Sequence, residues 1–235
     1  MVSVVIPAFN EEKNIGKCIE SLINQTTLQD YEVIIVDNNS TDQTYNVACK
    51  YKKRLNLTVL KEPIKGRGRA RFTGCRAAKG EIILSLDSDS TAPSDWIEKM
   101  TLPFSNPNIV AVTGTGKIDD CKRRINVTFN TFQPISMVVY RMLFKHYWLT
   151  GFNFAIRTDI YKKAGEFDPK IKSNEDTELA FRVAKHGKIK FLRYPVTVSG
   201  RRVQKGFVRG MMPYLTGYVK HFAMKEPTDL SDIRE

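Results

Sequence analysis

The sequence predicts one α/β domain, a mixed and mainly parallel β-sheet flanked by helices. Three observations predict it. Short β-branched runs alternate with amphipathic helical patterns through residues 1–100. An apolar fraction of 42% in 235 residues supports a sizeable core and excludes a disordered or fibrous chain. No internal repeat, low-complexity tract or long linker divides the chain.

Residues 2–6 form an apolar run closed by Pro7, read as a buried strand. Ile15, Cys18, Ile19, Leu22 and Ile23 then fall on one helical face. Residues 31–36 (YEVIIV) form a second strand, and Ser40 and Thr41 are expected to cap the next helix, with Val47, Ala48 and Tyr51 inward. Residues 56–61 are a third strand, 66–78 a basic loop and helix, and 81–86 (EIILSL) a fourth strand. Beyond residue 100 the alternation weakens. Strands are expected at 109–114, 153–157 and 188–198, and a polar loop or edge strand at 117–126. Helices are expected in part of 129–148, at 173–187 with Leu179, Ala180 and Val183 inward, and at 203–224 with interruptions.

Parallel sheets of this kind bind ligands beyond the carboxyl ends of their strands. Asp37 directly follows the second strand, and Asp87-Ser88-Asp89 follows the fourth. Asp37 alone suits a turn or helix cap. Residues two apart in an extended segment project to one side. Two such carboxylates repel unless a cation or donors compensate them, and Mg²⁺ or Mn²⁺ suits their oxygens. The preceding Gly66-Arg67-Gly68-Arg69-Ala70-Arg71 combines glycines for close approach with arginines suited to diphosphate, and is neither a Walker loop nor a dinucleotide fingerprint.

Taken together, these residues resemble family 2 glycosyltransferases of the Rossmann-like GT-A fold. The matching pieces run from Val4-Val5-Ile6-Pro7-Ala8-Phe9-Asn10-Glu11 through Val36-Asp37-Asn38-Asn39, Gly68-Arg69-Ala70-Arg71 and Leu86-Asp87-Ser88-Asp89. They continue with Gly151-Phe152-Asn153-Phe154-Ala155, Gly165-Glu166-Phe167-Asp168 and Asn174-Glu175-Asp176-Thr177-Glu178. The resemblance covers residues 2–195, in the family's order. It implies a metal-dependent inverting transferase using a UDP- or GDP-linked sugar, with Mg²⁺ or Mn²⁺ as cofactor. By the same resemblance Pro7, Ala8, Asn10 and Glu11 line the nucleotide pocket. Asp37 bonds the base, and Arg71 sits near the base or phosphates. Asp87 contacts ribose or supports the metal, and Asp89 ligates it. Asp176 is the expected general base, with Glu175 as competitor. Arg201 and Arg202 fall where the family places a loop over the diphosphate. The Gln-x-x-Arg-Trp motif of the processive synthases is absent, which speaks against processive synthesis of a long polymer and leaves a growing glycan open as acceptor. Thr91 stands where some polyprenyl-phosphate mannosyl transferases carry Gln.

Asp176 also lies in Ser173-Asn174-Glu175-Asp176, which resembles a capping box. A helix N-terminus stabilises the anion, so depression of its pKa is expected there.

The net charge is +12, divided as +1 over residues 1–100, +8 over 101–200 and +3 over 201–235. The first segment is read as the nucleotide half, the second as the acceptor half, and the third as a basic, amphipathic extension. A saccharide or polyprenyl-linked acceptor fits this division. Met211, Leu215, Tyr218 and Phe222 recur at helical spacing among Lys205, Arg209, Lys220 and Lys225, read as core packing or as an interfacial helix on an anionic membrane. Phe129, Phe132, Tyr140, Phe144, Tyr147 and Trp148 either join that surface or line the acceptor site. The four cysteines form no CxxC pair, and no leader or membrane-spanning run is evident, so a cytoplasmic location is expected, peripheral on the membrane if the stripe faces lipid. His146, His186 and His221 are isolated, and none is singled out as a metal ligand.

Two other classes are weighed. A nucleotidyltransferase needs a Gly- and Arg/Lys-rich first loop, whereas Pro7-Ala8-Phe9-Asn10-Glu11-Glu12 is acidic. A basic nucleic-acid-binding protein leaves the strand-end aspartates unexplained, so no nucleic acid is expected.

Overall fold

A computed structural model describes residues 1–171, 174–204, 206–208, 210 and 212. The strands are β1 (Val2–Ala8), β2 (Tyr31–Asp37), β3 (Leu57–Lys61), β4 (Ile82–Leu86), β5 (Ile109–Lys117), β6 (Asn153–Arg157) and β7 (Lys188–Thr197). They form one sheet in the order β3-β2-β1-β4-β6-β5-β7. All neighbours are parallel except β6, which is antiparallel to both β4 and β5. The helices are α1 (Ile15–Ile23), α2 (Thr44–Cys49), α3 (Arg67–Ala77), α4 (Trp96–Thr101), α5 (Arg123–Phe144), α6 (Thr158–Lys163) and α7 (Glu175–Val183).

The two-residue period of the strands divides the core into layers. Val4, Ile6 and Leu84 face one layer with Ile15, Cys18, Ile19 and Leu22 of α1 and Trp96 of α4. Val5 and Ile83 face the other with Cys75 of α3 and Leu179, Ala180 and Val183 of α7. Each fully buried aliphatic side chain contributes about 1.5–3 kcal/mol. The sheet is pinned between these layers by Asn153, buried at the start of β6. Its amide donates to Thr115 O at 2.8 Å and Tyr194 O at 2.9 Å, and its Oδ1 accepts from Trp96 Nε1 at 2.9 Å.

Several expectations change. β1 continues through Pro7 to Ala8, because pairing with β4 ends at Val5–Ser85 and the absent proline N–H interrupts no ladder there. Ser40 and Thr41 do not cap α2. Ser40 Oγ accepts from the Asn10 N–H at 3.0 Å, and the Thr41 N–H donates to Asn10 Oδ1 at 2.9 Å. Asp42 instead meets the Thr44 N–H at 2.9 Å. β5 extends to Lys117, and α5 already starts at Arg123, so the polar stretch is a short loop entering a helix.

The aromatic residues of the α5 region mostly turn inward. Tyr140 packs against Phe144, His146 and Trp148, and Tyr147 stacks on Phe191 at 5.1 Å. The outward face of α5 is aliphatic mainly in its second half, where Ile135, Val138, Val139, Met142 and Leu143 are exposed; Val127 and Phe132 are exposed nearer its start. The stripe at Met211, Leu215, Tyr218 and Phe222 lies outside the described residues, as do Ser173 and His221. Among the described residues no helix is long and apolar enough to cross a membrane.

Candidate active site

The carboxyl ends of β1, β2 and β4 carry the loops that build the site. The first two loops are stitched together. Besides the Asn10 contacts, Glu12 N–H donates to Asp42 Oδ2 at 3.1 Å, and Gln43 N–H to Glu12 Oε2 at 3.0 Å. Asn10 and Asn39 both adopt left-handed φ values, 51° and 63°, which asparagine tolerates well. Glu11 is buried, with its N–H on Thr44 Oγ1 at 2.7 Å and its Oε2 accepting from Asn14 Nδ2 at 2.7 Å. Pro7 and Ala8 are buried at the end of β1.

Asp37 ends β2 and is buried, and its Oδ1 has no hydrogen-bond partner. A buried acceptor left in this state costs about 1–3 kcal/mol. The next residue closes the far wall. Asn38 Nδ2 donates to Glu62 O at 3.1 Å and Ile64 O at 2.7 Å, and its Oδ1 accepts from Gly66 N–H at 2.8 Å. Lys65 Nζ lies 4.7 Å from the centre of the Phe9 ring.

The Asp87-Ser88-Asp89 segment is a turn rather than extended chain, since the Ser90 N–H donates to Asp87 O at 3.0 Å. Ser88 is buried while both aspartates stay half-buried. Each has its own arginine. Arg71 Nη2 donates to Asp87 Oδ1 at 2.7 Å, and Arg201 Nη2 to Asp89 Oδ2 at 2.6 Å. Arg201 also donates to Glu11. Beneath them, burial and the charges of Asp89, Asp87 and Glu11 push the Cys18 thiol far up, so it stays neutral and donates to Asp87 O.

Arg71, expected near base or phosphates, is enclosed between two carboxylates. Its guanidinium is buried, held by Asp87 and by Glu175, with Ser85 Oγ 3.4 Å from Nε. Glu175 is buried too, which leaves Asp176 as the more open member of the pair. Gly68 of the arginine-rich segment serves close packing, while Gly66 is the N-cap of α3 at φ 150°. A Cβ on Gly68 would meet Ile171 O at 2.5 Å and Glu175 Cβ at 3.3 Å, so α3 approaches Ile171 and Glu175 through a glycine.

Asp176 sits in the first turn of α7 but does not cap it. The N-cap residue is Asn174, at φ 59° and without a side-chain cap bond. Asp176 Oδ2 accepts from the Gly151 N–H at 2.8 Å, and Oδ1 from the Thr177 N–H at 2.7 Å. Burial, then the Glu175 charge, push its carboxyl up to about 6, against the pull of Arg71 and both N–H donors. The expected depression is reversed because desolvation and the like charge outweigh the helix end. Gly151 itself is held by Ser85, whose Oγ donates to Gly151 O at 2.7 Å. Sequence reading assigned no role to Gly151 or Ser85. The only signal was a glycine just ahead of a strand, where close backbone approach is common.

Arg201 reaches the site from the segment after β7. Thr91 and Thr197 exchange backbone hydrogen bonds of 2.8 and 3.0 Å, and the Gly200 N–H donates to Asp120 at 2.9 and 3.0 Å. Arg202 follows, half-buried. Among the described residues no group of three His, Cys, Asp or Glu side chains is arranged to hold a metal. Asp89 and Asp87 are two hard oxygen donors, and Asp89 already meets a cationic group. That donor set suits Mg²⁺ or Mn²⁺ completed by phosphate and water oxygens.

Comparison with known proteins agrees with this architecture. Residues 3–165 match the family described as glycosyl transferase family 2. The chain is 31% identical over 194 residues to a probable glycosyltransferase, YdaM, of Bacillus subtilis (strain 168), covering 77% of this chain and 46% of YdaM. It thus spans about half the length of that relative. S. aureus TarS 1–349 in complex with UDP-GlcNAc superposes with a TM-score of 0.70 at 23% identity, over 85% of this chain and 58% of TarS. The mannosyltransferase PcManGT from Pyrobaculum calidifontis, in complex with GDP-Man and Mn²⁺, superposes with a TM-score of 0.67 at 20% identity, over 92% of this chain and 64% of PcManGT. The sheet is therefore that of the GT-A fold, and with a family match spanning most of the chain, the chain belongs to glycosyl transferase family 2.

Proposed function

We propose that the chain transfers a sugar from a UDP- or GDP-linked donor to an acceptor hydroxyl or phosphate, with inversion at the anomeric carbon. The observation that carries this reading is Asp176: a half-buried carboxylate, fixed by the Gly151 and Thr177 N–H groups and pushed up to about 6, at the same sheet edge as Asp37 and Asp89. A base of that strength is ionised at neutral pH yet basic enough to take a proton from an acceptor.

The donor's base meets Asp37 Oδ1, a buried acceptor suited to a ring N–H. Asp89, with Asp87 beside it, would hold a divalent cation. Bound there, Mg²⁺ or Mn²⁺ neutralises the charge that builds on the leaving group. The acceptor oxygen attacks the anomeric carbon as the bond to the diphosphate breaks, and Asp176 takes any acceptor proton. Arg71 is a positioning residue, bridging Asp87 and the Glu175 next to the base. Residues 1–100 serve the nucleotide and 101–200 the acceptor. A lipid-linked acceptor at an anionic membrane face is favoured by α5, whose exposed aliphatic face is flanked by Arg123, Arg124 and Arg141.

The test is a thermal-shift panel of UDP-glucose, UDP-GlcNAc and GDP-mannose with and without Mn²⁺. A ligand that binds only the native state raises its melting temperature. One donor is expected to give a Mn²⁺-dependent rise. No rise from any donor, with no donor turnover, overturns the reading.

A further inference from the structure

We propose that Arg201 is a cation latch on the donor site, holding Asp89 and Glu11 until a nucleoside diphosphate takes over its guanidinium. Divalent metal and nucleotide then bind as a coupled pair. The inference rests on the donor-site reading above.

Arg201 Nη2 bridges Asp89 Oδ2, at 2.6 Å, and Glu11. Glu11 is an anchor for this bridge rather than a mobile ligand. Its side chain is fully buried, its Oε2 is held by Asn14, and its N–H is held by Thr44. Asp89 is the carboxylate a metal would use, and a guanidinium and a divalent cation cannot share its oxygen. Like charges this close repel strongly near a protein surface, and a divalent ion doubles the charge.

The latch has a release route. The Arg201 side chain is 28% exposed, so a diphosphate can reach it from solvent. Phosphate oxygens accept a guanidinium fork at least as well as a single carboxylate does. The backbone need not move. Gly200 is tied to Asp120, Cys121 Sγ donates to Gly200 O at 3.4 Å, and the Thr91–Thr197 pair fixes the end of β7. Side-chain rotation transfers the guanidinium from carboxylates to phosphates and uncovers the Asp89 Oδ2 that it holds as the nucleotide arrives.

The test measures Mn²⁺ binding by electron paramagnetic resonance in wild type, Arg201→Gln and Arg201→Lys, each alone and with UDP or GDP. Wild type is expected to bind Mn²⁺ weakly alone and more tightly with nucleotide. Arg201→Gln is expected to bind Mn²⁺ alone on the order of tenfold more tightly than wild type, and to gain less from the nucleotide. Arg201→Lys, which keeps a cation beside buried Glu11, is expected to fall between the two. Unchanged affinity for Mn²⁺ alone in both variants, with nucleotide-dependent binding intact, overturns the latch and leaves the donor site standing. No Mn²⁺ binding by any protein, with either nucleotide, overturns the metal-bound donor reading and the latch with it.

Discussion

The Gly151 N–H donates to Asp176 Oδ2 at 2.8 Å, so the turn entering β6 aims a carboxylate carried by α7. A Cβ on Gly151 would lie 2.5 Å from Arg71 Nη2 and 2.9 Å from Asp176 Oδ2. Gly151→Ala is therefore expected to shift both groups. Donor turnover should fall by roughly 10²-fold, the scale of an ångström of misplacement, while the protein still folds. Steady-state kinetics with circular dichroism check this.

Asp176→Asn removes the base and keeps the shape. Turnover is expected to drop by about 10²–10⁴-fold, with donor affinity nearly unchanged. Near-normal turnover would return Asp176 to a purely structural role.

The pH profile follows from the same residue. With a carboxyl at about 6, turnover should rise with pH through that value. Glu175→Gln removes the like charge beside it and should move this limb to lower pH. The stability effect has the opposite sign. The folded-state value lies above the ordinary 3.8, so this contribution is complete below 3.8 and is lost as pH rises through about 6. Asp176→Asn should remove that decline in a pH series of denaturant midpoints.

Arg71 compensates buried Glu175 as well as Asp87. Arg71→Met leaves a carboxylate buried without its cation, at a cost of about 3–5 kcal/mol. Urea unfolding should show it. A loss below about 1 kcal/mol would mean that Glu175 is compensated by other groups.

The apolar face of α5 is tested with vesicles. Wild type is expected to sediment with phosphatidylglycerol vesicles and not with phosphatidylcholine. Met142→Glu combined with Leu143→Glu, both exposed positions, should abolish sedimentation without lowering the melting temperature. Equal sedimentation of the variant, or self-association of wild type lost in the variant, would point away from lipid.

Much of this was legible locally. The strand patterns before residue 100 recur at nearly the expected bounds, and Leu179, Ala180 and Val183 are buried on α7 as their spacing requires. The aspartates ending β2 and following β4 stand at the carboxyl edge of the sheet, as their positions after apolar runs implied. Ser40 and Thr41 were misleading for a physical reason. Short polar residues suit several partners, and which partner they meet depends on the neighbouring loop.

By itself the sequence determined the alternation of strands and helices, the apolar faces and the strand-end aspartates, because those follow from periods of two and 3.6 residues within short windows. Only the tertiary structure decided the charge partners. Arg71 and Glu175 are 104 residues apart, Arg201 and Asp89 are 112 apart, and Arg201 and Glu11 are 190 apart. No local pattern encodes such pairings. Nor does it encode the burial that lifts Asp176, since desolvation depends on everything packed around a carboxyl and not on its neighbours in the chain.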